Sequence, residues 1–62
     1  MRHEKVELYT IHFDGVPDLN RWCELIENAG GVYISGKSIG RQCVIVYAGT
    51  AATQEAVTAE GP

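Results

Sequence analysis

The apolar pattern assigns one strong helix to a chain that reads strand–helix–strand–strand, and one helix covers only one face of a sheet. Yet the strands around it are apolar on more than one face. Uncovered apolar sheet calls for a partner, so this mismatch constrains fold and function together.

Residues 4–13 (Glu-Lys-Val-Glu-Leu-Tyr-Thr-Ile-His-Phe) alternate with β-branched and aromatic enrichment, as a strand does. Val6, Leu8, Thr10 and His12 point one way, and Glu7, Tyr9, Ile11 and Phe13 the other. Asp14-Gly15-Val16-Pro17 breaks the strand. Proline suits a first helical turn, where its missing N–H is one the turn leaves unpaired, and Asp18 places negative charge at the positive end of the helix dipole. A helix is predicted over about 17–29: Leu19, Trp22, Cys23 and Ile26 recur at helical spacing, and Ala29 continues the stripe. Gly30-Gly31 stops it.

Val32-Tyr33-Ile34-Ser35 reads as a short strand, Gly36 to Gly40 as a turn, and Arg41 to Ala48 as a third strand. Residues 42–48 carry no charge, which marks a central strand. The tail is rich in Ala, Thr and Glu, and predicts a short, weak helix over about 51–58. The last residues, 59–62, are expected to fray. Strands two and three form a hairpin, and a helical crossover makes strand two run parallel to strand one. With the uncharged strand central, the order is 1-3-2, every neighbouring pair is antiparallel, and the crossover is right-handed. The expected fold is α+β: a single βαββ unit over 1–62, with a three-stranded sheet and one helix packed on one face.

A single domain of 62 residues has a small core, on the order of 3–5 kcal/mol of stability, and such domains often add a disulfide, a metal or a second subunit. Two cysteines are too few for a disulfide framework. Met1-Arg2-His3-Glu4-Lys5 leads into alternating sequence rather than an apolar segment, so no signal peptide is expected, and no apolar run reaches the ~18 residues of a membrane span. These features point to a cytoplasmic protein. Net charge is −3, and six of the eight acids precede residue 28, while Lys37 and Arg41 cluster near the turn. That balance argues against a strongly basic polyanion binder.

Gly31 to Ser38 fits the phosphate-loop pattern G-x-x-x-x-G-K-[ST]. A phosphate loop needs a strand before it and a helix after it; here a helix precedes, Val-Tyr-Ile-Ser is strand-like, and another strand follows. The match is turn chemistry, and no cofactor is expected. His3, His12, Cys23 and Cys43 are spaced unlike any common zinc pattern, and both cysteines fall at apolar positions, so inert core thiols are expected and no metal. No nucleophile stands beside an oriented histidine in a chain large enough for a pocket, and Glu24 and Glu27 lie on an outer helix face. The chain is read as non-catalytic.

One constellation remains. With the helix on the Tyr9, Ile11 and Phe13 face, the opposite face carries Leu8, Thr10 and His12, and depending on register adds Tyr33 from strand two and Cys43, Ile45 and Tyr47 from strand three. Aromatic residues in a mixed surface suit contact sites. Leu8, Thr10, His12, Tyr33, Ile45 and Tyr47 are therefore the expected partner-binding residues. A bulge would reverse part of this assignment, and a tail folded over the face would remove it. The expected function is a protein–protein interaction module, an adaptor or inhibitor that occupies a partner's surface and forms a homodimer. A small phage- or mobile-element protein that blocks a host defence factor is one form such an inhibitor takes, although no residue pattern selects it. The competing reading is a single-strand nucleic-acid binder that stacks bases on an open aromatic sheet. Five basic residues against eight acids weigh against it.

Overall fold

In the computed structural model, which describes residues 5–60, the alternation before the Asp14 break forms strand β1 (Glu7–Asp14), followed by helix α1 (Leu19–Asn28), strands β2 (Val32–Ile39) and β3 (Gln42–Gly49), and helix α2 (Ala51–Glu60). The strand order is β1-β3-β2 and both pairings are antiparallel, so the fold is α+β with the uncharged strand at its centre. The N-terminal residues, including His3, and the last two residues of the expected frayed tail lie outside the described residues.

α1 is shorter than the 17–29 span because Asp18 is its N-cap: the side chain accepts a hydrogen bond from the Arg21 amide at 3.3 Å, and Pro17 stands just outside. At the other end Gly30 takes φ +88, and the amides of Gly30 and Gly31 donate to the carbonyls of Glu27 and Ile26 at 3.1 and 2.9 Å. This is a Schellman ending, in which the left-handed residue can carry no Cβ without strain. Trp22 and Ile26 are buried on the inner face, and Phe13 meets Trp22 edge to face with ring centroids 5.1 Å apart.

The expected turn at Gly36 to Gly40 is shorter than the sequence implies. Lys37, Ser38 and Ile39 pair with Val44, Cys43 and Gln42, so β2 runs on to Ile39 and only Gly40-Arg41 make the loop. Gly40 has φ +64 and Arg41 does not have positive φ, the signature of a II′ hairpin turn. Gly36 is in the strand because Tyr33 lies across it: a Cβ there would collide with the Tyr33 hydroxyl and come within 3.0 Å of Leu19. Tyr33 and Gly36 share a face despite their odd spacing because the register shifts by one residue between Tyr33 and Ser35.

α2 is longer than the expected 51–58 helix and continues through 59–60. Thr50 caps it, its hydroxyl accepting from the Thr53 amide at 3.2 Å. Thr53 and Val57, one turn apart, are its buried residues, and Val57 joins Trp22, Ile26, Ile45 and Tyr47 in one core. Thr53 sits where α1, β3 and α2 meet. A Cβ at Gly49 would stand 2.7 Å from its Cγ2, and one at Gly31 would stand 2.9 Å from the same atom. Both helices therefore lie on the same face of the sheet.

Candidate interaction face

Antiparallel partners share a face, so the pairing decides what the helices leave open. Tyr9 pairs with Tyr47, Ile11 with Ile45 and Phe13 with Cys43 on one side, and Tyr33 pairs with Tyr47 on the other. These rows lie under α1 and α2. Tyr47 is 2% exposed and Ile45 0%, and Tyr9 and Tyr47 stack with centroids 5.5 Å apart. Three of the expected contact residues, Tyr33, Ile45 and Tyr47, thus belong to the covered face, and Cys43 with them. The physical reason is the β1–β3 register, which matches odd positions with odd and so buries the larger side chains of β3. Burial raises the Tyr47 phenol above its ordinary 10.0, and the neighbouring Tyr9 adds to the shift.

Leu8, Thr10 and His12 do lie on the open face, and are exposed. Their row partners were not anticipated: Leu8 aligns with Ala48 and Val32, Thr10 with Val46 and Ser35, His12 with Val44 and Lys37, and Asp14 with Gln42 and Ile39. Val6, Leu8, Val32, Ile34 and Ile39 are between 51% and 70% exposed, and the central Val44 and Val46 are half-buried. A signal for this was present in the strand: Ile45 and Tyr47 bury more area than Val44 and Val46, so packing favours the former under the helices. α2 does not cover this face, because Val57 anchors it on the other side.

Three strands of eight residues give a face roughly 14 by 26 Å, on the order of 360 Å² before protruding side chains are counted. Leu8, Val32, Ala48, Val44, Val46 and Ile39 make up roughly half of that area, interleaved with Thr10, His12, Asp14, Ser35, Lys37 and Gln42, so this is a mixed surface rather than one continuous apolar patch. Among the described residues the face holds one carboxylate, Asp14, and one ammonium, Lys37, on opposite edge strands. The tyrosines a base would stack on are on the other side.

Cys23 is half-buried, Cys43 is buried, and both are free thiols. His12 and Cys43 lie on opposite faces of the sheet and cannot converge, and among the described residues no three of His, Cys, Asp or Glu gather as a metal site would require. Lys37 stands within β2, with no helix after it, so the Gly31 to Ser38 segment lacks the loop-to-helix geometry that cradles phosphate. Among the described residues no helix is long and apolar enough to cross a membrane. Comparison with protein-family models, with curated proteins and with solved structures finds no match to this chain.

Proposed function

We propose that this chain is a non-catalytic protein–protein interaction module that acts by occupying a surface of a partner protein with its open sheet face. The observation that supports this reading most is the placement of both helices on one side, which leaves Leu8, Val32, Val44, Val46 and Ile39 facing outward. The central Val44 and Val46 are flanked by polar side chains, Thr10 and Ser35 in one row and His12 and Lys37 in the next, and a mixture of apolar and hydrogen-bonding groups is how non-obligate protein interfaces are built. Thr10, His12, Ser35 and Gln42 supply hydrogen-bonding groups among the apolar ones. An adaptor or inhibitor of this kind needs no pocket, because its work is to cover. The nucleic-acid alternative loses ground with the tyrosines turned inward, since an open sheet without aromatic platforms has little to stack on.

The reading is tested by immobilising the wild-type chain and two variants and passing an extract of the native host over them. Val46→Glu places a carboxylate at the centre of the open face, and Glu24→Lys changes charge on the outer face of α1. A discrete protein retained by wild type and by Glu24→Lys, but lost with Val46→Glu, is the expected result. Retention indifferent to Val46 and sensitive to Glu24 would move the contact to the helix side and overturn the assignment.

A further inference from the structure

We infer that a second copy of this chain covers the open face, sheet against sheet, about a two-fold axis running along the strands in the plane between the copies. This inference rests on the reading of the face as an interaction surface, and names a second copy as its occupant in the free protein, which a partner protein displaces. Three features select the occupant.

The first is charge. The chain carries a net charge of −3, but among the described residues the open face holds one carboxylate, Asp14 on β1, and one ammonium, Lys37 on β2. Glu24, Glu27 and Glu55 lie on the helices, away from it. Two copies can meet here without bringing their acids together.

The second is self-complementarity. A two-fold axis along the strands lays β3 over β3 and β1 over β2 of the partner subunit. Asp14 then falls opposite Ile39 of the partner subunit and Lys37 opposite His12 of the partner subunit, with Asp14 two residues along the strand from Lys37 of the partner subunit, and symmetry repeats these contacts at the opposite edge. Val44 and Val46 meet their own symmetry mates at the centre. Sheets stacked this way lie about 10 Å apart, with side chains interdigitated and mean strand directions within about 30°. Within one copy Asp14 and Lys37 are separated by the whole of β3 and make no ion pair.

The third is area. Stacking two faces of about 360 Å² removes roughly 700 Å², to which the protruding Leu8, Val32 and Ile39 add, the size of a weak, transient interface. An interface of this size fits a micromolar, reversible dimer. Edge pairing of β1 with a second β1 is the weaker alternative. Full overlap sets Glu7 against Asp14 at both ends, and the apolar face stays in water.

Sedimentation equilibrium at about 50 µM, with circular dichroism to verify the fold of each variant, tests the inference. Wild type should sediment at twice the 6.8 kDa chain mass. Val46→Glu should remain folded and weaken the dimer at least about 100-fold, because each copy then places a carboxylate in the dry centre. Lys37→Glu should weaken it about ten-fold through two symmetric contacts, and adding Asp14→Lys should restore most of the loss. Restoration identifies a contact between copies, since the two residues do not meet within one. A wild-type monomer overturns the inference. So does a dimer indifferent to Val46→Glu, or one that the double exchange fails to restore. A wild-type monomer whose protein capture still depends on Val46 would overturn the dimer alone, while indifference to Val46 in both assays would remove the interaction face with it.

Discussion

The outward-facing sheet depends on where α2 sits, and Val57 is the residue that fixes α2, so Val57→Ala is the most direct test of the architecture. Val57 is 1% exposed and packs with Trp22, Ile26, Ile45 and Tyr47. Removing its two methyl groups forfeits about 1.6 kcal/mol of transfer free energy at ~0.8 kcal/mol per buried carbon. The void adds on the order of 1 kcal/mol if the site relaxes only in part. Alanine returns roughly 0.5 kcal/mol through its better helix propensity. The net expectation is a loss of about 2 kcal/mol, near half the stability of a domain this small. Urea unfolding followed by Trp22 fluorescence, at one protein concentration and in the Val46→Glu background so that association does not enter, should show the midpoint fall by about 1–2 M at an unchanged slope. The sign is what decides. An exposed valine on a solvated helix would gain stability on becoming alanine, so an unchanged or higher midpoint would refute the packing of α2 beside α1.

Other expectations follow from the same core. Trp22→Ala should cost about 3–5 kcal/mol and leave little folded protein; a cooperative near-wild-type melt by circular dichroism would place the indole outside the core. Gly49→Ala should lose about 1–3 kcal/mol by overpacking against Thr53, and Thr53→Ala should recover part of that loss in a double-mutant cycle; strictly additive effects would show that the two do not touch. Stability should hold up to the ordinary tyrosine value of 10.0 and fall above it, because the unfolded chain releases the Tyr47 proton while the folded chain retains it. In Tyr47→Phe that alkaline loss should shrink in a pH series of urea melts. ATP titrated calorimetrically should give no saturable heat; an isotherm abolished by Lys37→Ala would overturn the strand reading of the Gly31 to Ser38 segment.

The fold was legible because its strongest signals are local. The stripe at Leu19, Trp22, Cys23 and Ile26, bounded by Asp18 and Gly30, specifies α1 within a residue or two of its observed ends. The uncharged run at 42–48 and the short link between the last two strands are enough to set the order β1-β3-β2. What local signals missed was decided by contacts distant in sequence. Gly36 looks like a strand breaker until Tyr33 is seen lying over it. The tail looks marginal as a helix because its propensity is modest. It holds because Thr53 fits into the space above Gly49 and Gly31 while Val57 completes the core.

The contact face failed to read correctly for a more instructive reason. Alternation within β1 fixed which residues travel together, and Leu8, Thr10 and His12 do share the open side. Passing from one strand to the next requires the register, and no turn links β1 to β3, because α1 and β2 intervene. One residue of slip exchanges Tyr47 for Val46 at the surface. Side-chain size offers the missing constraint: beneath two helices, the pair Ile45 and Tyr47 fills a core that Val44 and Val46 would leave hollow, and a hollow core costs more than smaller residues exposed to water. The result is an outward face on which valine, leucine and isoleucine are interleaved with Thr10, His12, Ser35, Lys37 and Gln42, in place of the expected tyrosines. Such a surface offers bases no aromatic platform. The same register that turned the aromatics inward is thus what the proposed protein-contact reading rests on.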